Sequence, residues 1–197
     1  DRYAHWSAKF DEASVARSSL LAFLGDVYLG LDAQTLSKRD FTWAQKRLRV
    51  LSGLYGLLRP LDRIHPYRLE MGTALRNTAG KDLYEFWGGK VTQALNEALS
   101  GQRSKVLINL ASNEYYKVVQ AQNIDGRIVT INFKEWRRDA YRFVSFSAKK
   151  ARGLMARYMI DQRAEKADDL KAFDVEGYAF NEELSSRDEW IFTRHID

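Results

Sequence analysis

We predict a mixed α/β (α+β) fold, in which residues 1–197 form a single compact domain with a central mixed sheet and surrounding helices. The chain is 45% hydrophobic and 29% charged, values typical of a globular domain with a sizeable core. Strand-like and helix-like segments are interspersed without strict alternation, which favours a mixed sheet over a parallel one. No repeat and no Pro/Ser-rich linker divides the sequence.

Hydrophobic spacing predicts each element in turn. A buried strand is predicted at 18–25 (SSLLAFLG), followed by a helix that Asp40 can cap and that runs through Leu51. A tight turn built on two glycines comes next, and then an amphipathic helix at 81–99. The later elements are strands at 106–111, 127–133 and 141–147, a helix at 148–164 and a last strand at 190–196.

Composition narrows the classes of function. No window approaches the ~20 apolar residues that span a bilayer, and no signal peptide is visible, so we expect no membrane association. The lack of cysteine fits a reducing cytoplasm. The absence of cysteine removes disulfides, thiolate catalysis and Cys-ligated zinc. The three histidines (His5, His65, His195) show no metal-ligand spacing, so we expect no directly bound metal and no cofactor.

Positive charge is concentrated in two segments. Residues 46–76 contain seven basic and two acidic side chains, and residues 137–163 contain eight basic and two acidic ones, whereas the rest of the chain is acidic. A protein with this distribution can present one positive surface to a polyanion, provided that the two segments meet in space. The alternative is two unrelated solvated faces.

The first candidate site is the glycine turn within 46–76. The residues Ser52, Gly53, Leu54, Tyr55 and Gly56 fit the turn of a helix-hairpin-helix element, with Arg59 beside it. Such a turn presents backbone N–H groups and a helix N-terminus to phosphate. Pro60 departs from the motif, because it disfavours a helical conformation at Arg59. A turn that is merely structural, packed by its own apolar residues, is the competing interpretation.

The second candidate site is the predicted strand-to-helix junction at 145–153. Lys149, Lys150 and Arg157 are predicted to share one helical face, with Arg152 nearby, while the opposite face packs inward. Two lysines in a first helical turn oppose the helix dipole, so a bound anion would relieve that cost. The alternative is a set of solvated lysines on an amphipathic helix.

A third cluster follows the predicted strand at 106–111. Asn109, Ser112 and Glu114 occupy the carboxyl end of that strand, where ligands bind in α/β sheets. In an enzyme acting on a nucleotide-like anion, Glu114 would serve as the acid/base, and Lys149, Lys150 and Arg152 would hold the phosphate. The competing interpretation is that Ser112 is the N-cap of a helix that begins at Asn113.

The sequence resembles the YaaA peroxide-stress-resistance family over essentially its whole length. The resemblance is carried, in order, by AFLGDVYLGL (22–31), RVLSGLYGLLRPLD (49–62), PYRLEMG (66–72), KDLYEFWG (81–88), NLASNEYYK (109–117) and SFSAKKARGLMARYMI (145–160). It implies a cytoplasmic bacterial protein that helps cells survive hydrogen peroxide by limiting free intracellular iron. It also implies DNA binding through a helix-hairpin-helix-like element on Ser52–Gly56 and Arg59, and a basic cleft with Lys149, Lys150 and Arg152.

The family's N-terminal segment, which carries an S-P-A-K-T-L-D motif, has no counterpart here, so the chain is N-terminally truncated relative to the family. We predict a non-enzymatic protein that binds double-stranded DNA through backbone contacts of the hairpin and of Lys149, Lys150, Arg152 and Arg157. The enzyme that acts on a nucleotide-like anion is the alternative hypothesis.

Overall fold

The computed structural model describes residues 16–196. Its α-helices are α1 (Ser19–Ala22), α2 (Asp26–Leu31), α3 (Lys38–Arg47), α4 (Leu83–Trp87), α5 (Lys90–Ser100), α6 (Asn113–Tyr116) and α7 (Ser145–Asp161). Its strands are β1 (Arg17–Ser18), β2 (Val50–Ser52), β3 (Gly56–Leu58), β4 (Arg63–Ile64), β5 (Val106–Asn109), β6 (Arg127–Arg137), β7 (Ala140–Arg142), β8 (Ala179–Phe180) and β9 (Glu189–His195). Short 3₁₀ turns occupy Ala33–Thr35, Ala121–Asn123, Ala167–Ala172 and Val175–Gly177.

The predicted mixed α/β class is confirmed, because helices are interspersed with a five-stranded sheet that has both parallel and antiparallel pairs. The described chain divides into two compact units. The first contains the described residues up to Phe23, together with Ser37–Ala98 and Ala111–Asn123. The second contains Leu24–Leu36, Leu99–Leu110 and the chain from Ile124 onward. The assignment of 1–197 to one domain stays a prediction.

The second unit is built on the five-stranded sheet. Strands β5, β6 and β9 are parallel neighbours, while β7 pairs antiparallel with β6 and β8 pairs antiparallel with β9. A parallel pair needs a long crossover connection, and the one from β6 to β9 contains α7. The register of β6 and β9 sets Glu135 beside Arg194 near the carboxyl ends of both strands.

The hydrophobic core of the second unit lies between this sheet and α7. Side chains alternate along β6, so that Val129, Ile131 and Phe133 are fully buried while their neighbours are only partly covered. The other core residues are Ala148, Ala151, Met155, Leu170, Phe173, Tyr178, Trp190 and Phe192. This packing holds α7 firmly against the sheet.

Helix α2 packs on α7 through two glycines. A Cβ atom on Gly30 would lie 2.2 Å from the carbonyl oxygen of Lys150, and one on Gly153 would lie 1.8 Å from that of Val27. Real Cβ atoms do not approach backbone so closely, so both positions require glycine. The two glycines therefore allow the backbones of α2 and α7 to pack closely against each other.

The first unit combines short strands with α1, α3, α4, α6 and most of α5. Strands β2 and β3 form a hairpin, and β1 pairs with β4 over two residues. Helix α3 begins at a capping box, in which Ser37 Oγ accepts the N–H of Asp40 and the Asp40 carboxylate accepts the N–H of Ser37. The predicted helix at this position exists, but Ser37 is its N-cap and it ends at Arg47 rather than Leu51.

Three predicted elements have different limits in the structure. The predicted strand at 18–25 is wrong beyond Ser18, because α1 begins at Ser19. A short apolar run does not by itself distinguish a buried strand from a helix. The helix at 81–99 is interrupted at Gly88, whose φ of +48° ends α4 before α5 begins. The strand at 141–147 stops at Arg142, and α7 starts at Ser145 rather than at residue 148.

The described residues contain neither a membrane-spanning helix nor a cluster of metal-ligand side chains. No helix within residues 16–196 is both long enough and apolar enough to cross a bilayer. Within the same residues, no group of three His, Cys, Asp or Glu side chains is arranged to hold a metal ion. His5 lies outside the described residues.

Candidate functional site

The glycine turn of the first unit is a β-hairpin, so the predicted helix-hairpin-helix element is wrong. Val50 pairs with Leu58 and Ser52 pairs with Gly56 across antiparallel strands. Burial alternates along both strands, which is the two-residue period of a sheet rather than the helical period. Because no second helix follows this turn, it has no helix N-terminus to offer to a phosphate.

Different neighbours require the two glycines of the hairpin: a Cβ on Gly53 would lie 2.3 Å from the carbonyl oxygen of Leu69, whereas Gly56 faces Trp87. Trp87 contacts both positions. Its indole Nε1–H donates to the carbonyl oxygen of Gly53 at 3.0 Å, and its ring covers Gly56 so closely that a Cβ there would lie 2.7 Å from it. Gly56 also has a φ of +73°, which suits the residue that follows a three-residue hairpin loop. Both glycines are buried, so their conformation serves the packing of this hairpin.

The hydroxyl of Ser52 organises the hairpin loop. Ser52 is fully buried, and its Oγ accepts the N–H of Tyr55 at 2.9 Å and lies 2.5 Å from the hydroxyl of Tyr67. Burial raises the pKa of Tyr67 to about 12. The ring of Tyr55 packs edge-on against Tyr67, while Leu54 is half-buried. These contacts support the structural interpretation of the turn.

The side chain of Arg59 is exposed, but it already forms an ion pair with Asp62. Its side-chain nitrogens bind the Asp62 carboxylate at 2.9–3.0 Å, and its backbone N–H donates to the same carboxylate at 2.8 Å. An anion at Arg59 would therefore compete with a carboxylate three residues away. The role in DNA binding predicted for Ser52–Gly56 and Arg59 stays a prediction.

Helix α7 of the second unit carries the other predicted cations. Because it begins at Ser145, Lys149 and Lys150 lie in its second turn rather than in its first. Lys150 forms an ion pair with Glu176. Lys149 is exposed and has no ion-pair partner among residues 16–196. The two adjacent lysines are thus in different environments.

Arg152 and Arg157 are held by the second unit itself. Burial lowers the pKa of Arg152, which donates to the carbonyl oxygens of Ala148 and Leu110. Arg157 binds Asp161 at 2.9 Å and also donates to backbone oxygens at the end of α2, including that of Asp32 at 3.2 Å. The guanidinium group of Arg152 thus links α7 to the residue that follows β5, and that of Arg157 links α7 to the end of α2.

The residues of the alternative hypothesis fall in both units. Asn109 is buried in the second unit and donates to Thr130 Oγ1 at 3.3 Å. Ser112 is the N-cap of α6 in the first unit, as the competing interpretation predicted, and accepts the N–H of Tyr115. Glu114 Oε1 accepts the backbone N–H of Gly72 at 2.9 Å. A catalytic role for Glu114 stays a prediction.

Sequence reasoning missed a buried carboxylate at the end of β6. Glu135 is 1% exposed and binds Arg194 and Arg137, each at 2.7 Å. Burial alone would raise its pKa, but hydrogen bonds from Ser147, Arg194 and Arg137 hold the pKa below its ordinary value. The signal was present in the sequence, because Glu135 continues the inward alternation of Ile131 and Phe133.

The β6–β7 turn was also missed. It is a two-residue loop in which Arg138 (φ +50°) and Asp139 (φ +62°) both adopt the left-handed conformation. Asn-Gly is the usual sequence for such a turn, because non-glycine side chains are strained there. Arg138 and Arg142 are exposed, and within residues 16–196 neither forms an ion pair with a carboxylate.

Comparison with known proteins is consistent with the family resemblance. Residues 1–184 match a family described as "Peroxide stress protein YaaA", which defines the class as a peroxide-stress protein of mixed α/β architecture. The chain is 56% identical to a UPF0246 protein of Ralstonia nicotianae and 53% identical to one of Saccharophagus degradans, in each case over 98% of this chain and 75% of the relative. It therefore belongs to the peroxide stress protein YaaA family, whose curated relatives carry the name UPF0246.

Proposed function

We propose that this peroxide-stress protein binds double-stranded DNA through contacts with the phosphate backbone. The observation that carries the proposal is the presence of three exposed cations, Arg138, Arg142 and Lys149, within one stretch of twelve residues of the second unit. No carboxylate of residues 16–196 forms an ion pair with any of them. Cations that no carboxylate neutralises can exchange counterions for phosphates. Of the three, Arg142 would give up only the hydrogen bond that its Nε–H donates to the carbonyl oxygen of Arg137 at 3.3 Å.

The paired cations of α7 have a supporting role in this proposal. Lys150, Arg152 and Arg157 bind a carboxylate or backbone carbonyls, so recruiting them to a phosphate would break contacts within the second unit. Lys149 is therefore the member of the predicted set that we retain as a direct phosphate contact. Backbone contacts position a protein on DNA without reading its sequence, so we expect little sequence preference.

The biological role that we propose is protection of DNA during peroxide stress in the bacterial cytoplasm. The family name supports a role in peroxide stress. Bound protein would shield the sugar–phosphate backbone and so limit the damage caused by free intracellular iron and peroxide. A plasmid-nicking assay with ferrous iron and peroxide measures this protection directly, with Lys149→Ala as the variant that should protect less.

The proposal is tested by fluorescence-anisotropy titration of a short labelled duplex across a salt series. Three phosphate contacts predict a slope of log K against log salt of about −3, or steeper if further cations contribute. Absence of binding at low salt by the folded protein would overturn the proposal. Binding with a slope near zero would also contradict it, because phosphate contacts release counterions.

A further inference from the structure

We infer that Lys150, Tyr178 and Arg194 form a binding site for the carboxylate group of a small molecule. In this structure the side chain of Glu176 fills that site, so a ligand would have to displace it. All four residues belong to the second unit. The inference is independent of the proposed DNA binding, because it uses none of the three cations assigned to direct phosphate contacts.

Two cations from different elements converge on the carboxylate of Glu176. Lys150 of α7 forms an ion pair with Oε1. Arg194 lies near the carboxyl end of β9, and its Nη1 is 3.3 Å from Oε2 and donates to the backbone oxygen of Glu176 at 3.2 Å. Ligands of α/β sheets bind at the carboxyl ends of parallel strands. An ammonium and a guanidinium that each hold one carboxylate oxygen can hold the same group on a ligand.

The backbone of Glu176 is strained. Its φ of +53° and ψ of +34° are left-handed, and the next residue, Gly177, also has a positive φ of +75°. Glycine would adopt the conformation of Glu176 without steric cost. Strain of this kind is retained at functional positions, where the surrounding structure enforces it. Release of Glu176 from its two cations would relieve this strain, which makes its carboxylate a displaceable occupant.

A buried hydroxyl without a partner lies beside the two cations. Tyr178 is 1% exposed, and its hydroxyl has no hydrogen-bond partner among residues 16–196. The guanidinium of Arg194 lies 4.5 Å from the centre of the tyrosine ring. Burial raises the pKa of Tyr178 to about 12, so the hydroxyl keeps its proton at neutral pH. Because buried polar groups are normally paired, this O–H is available to donate to a ligand oxygen.

Charge balance selects an anion as the ligand. Arg137 and Arg194 bind Glu135, each at 2.7 Å, and Arg194 and Lys150 bind Glu176. Without Glu176, three cations would face one carboxylate, so a neutral group could not take its place. Solvent reaches the site, because the side chains of Lys150 and Glu176 are 40% and 35% exposed.

The test is calorimetric titration with succinate at constant ionic strength. Glu176→Gly removes the competing carboxylate and accepts the left-handed backbone, so it should bind succinate roughly tenfold or more tightly than the wild type. Adding Lys150→Ala or Tyr178→Phe to Glu176→Gly should weaken this binding. Circular dichroism verifies that each variant is folded.

Two matched controls belong to the same unit. Lys149→Ala, added to Glu176→Gly, removes the neighbouring lysine and should leave succinate binding unchanged. Asp125→Ala removes the carboxylate partner of Lys105 and should create no succinate site.

Three results would overturn the inference. The first is absence of succinate binding by folded Glu176→Gly, and the second is equal binding by Asp125→Ala, which would indicate a general effect of charge. The third is tighter binding of inorganic phosphate than of succinate by Glu176→Gly, which would contradict the choice of a carboxylate. None of these results bears on the salt-dependent binding of duplex DNA.

Discussion

The carboxylate of Glu135 and the guanidinium of Arg194 lie 2.7 Å apart on neighbouring parallel strands, with the glutamate only 1% exposed. Arg194 also packs over the ring of Tyr178, 4.5 Å from its centre, and binds Glu176 at 3.3 Å. The pair thus ends the apolar face of the sheet with a compensated charge rather than with a hydrophobic residue.

Replacing Glu135 by Gln should lower the free energy of unfolding at neutral pH by about 3 kcal/mol. The change removes the nearer of the two carboxylates that compensate Arg194 and leaves only Glu176 at 3.3 Å, and breaking one side of a buried pair is strongly destabilising. Urea denaturation measures the difference. Lys105→Ala is the control, because it removes an exposed pair with Asp125 and should cost less than about 1 kcal/mol. Equal effects of the two changes would contradict the prediction.

The same carboxylate should make stability sensitive to acid. The pKa of Glu135 is lower in the folded protein than its ordinary value of 4.5, so its contribution is fully present above pH 4.5. That contribution is lost as the pH falls through the folded-state pKa. The Glu135→Gln variant should therefore lose less stability than the wild type below pH 4.5. Parallel stability curves for the two proteins in acid would argue against the lowered pKa.

Gly56→Ala should be more destabilising than Gly177→Ala. The two glycines have nearly the same positive φ, +73° and +75°, so both changes add the backbone strain of about 1–2 kcal/mol. Only Gly56 faces the ring of Trp87, whereas nothing lies within 4 Å of a Cβ at Gly177. Overpacking should add about 1–3 kcal/mol at Gly56. If the Gly56→Ala and Gly177→Ala variants have the same denaturation midpoint, the prediction is wrong and Trp87 can move aside.

Lys149→Ala and Lys150→Ala should differ in their effect on DNA binding. Loss of one phosphate contact reduces the steepness of the salt slope by about 0.9, and we expect that change for Lys149. Lys150→Ala removes one of the two cationic partners of Glu176, so we expect a smaller change in slope and a lower thermal midpoint. Salt-series anisotropy and thermal melts measure the two quantities. The proposal is wrong if the two variants exchange these behaviours.

Alkaline pH should weaken the first unit through Tyr67. Because burial raises the pKa of Tyr67 to about 12, the folded state favours the neutral phenol. Stability is therefore fully present below the ordinary pKa of 10 and falls as the pH rises from about 10 to about 12. Tyr67→Phe should reduce this loss, as followed by denaturant midpoints across that range. An absorbance titration in which Tyr67 ionises near pH 10 would contradict it.

Part of the site could be predicted because its determinants are local. The cap at Ser112 depends on a side chain and an N–H three residues apart, so the sequence pattern was sufficient. Which atoms the arginine side chains bind depends on residues that are distant in the sequence. Arg157 binds the backbone at Asp32, which is 125 residues away, and no spacing rule connects the two. Helical periodicity predicted that Arg157 and Lys149 share a face but could not show that one of them is occupied.

The sequence by itself determined the mixed class, the strands at β5, β6 and β9, and membership of the family, because strand periodicity and sequence matches are properties of the chain. Tertiary structure decided what the glycine turn became. The segment around Gly53 and Gly56 is compatible with either kind of hairpin. In the β form Trp87 packs against Gly56 and donates a hydrogen bond to the carbonyl oxygen of Gly53. Local propensities are weak compared with the packing of a large aromatic side chain, so a contact more than thirty residues away outweighed the local pattern.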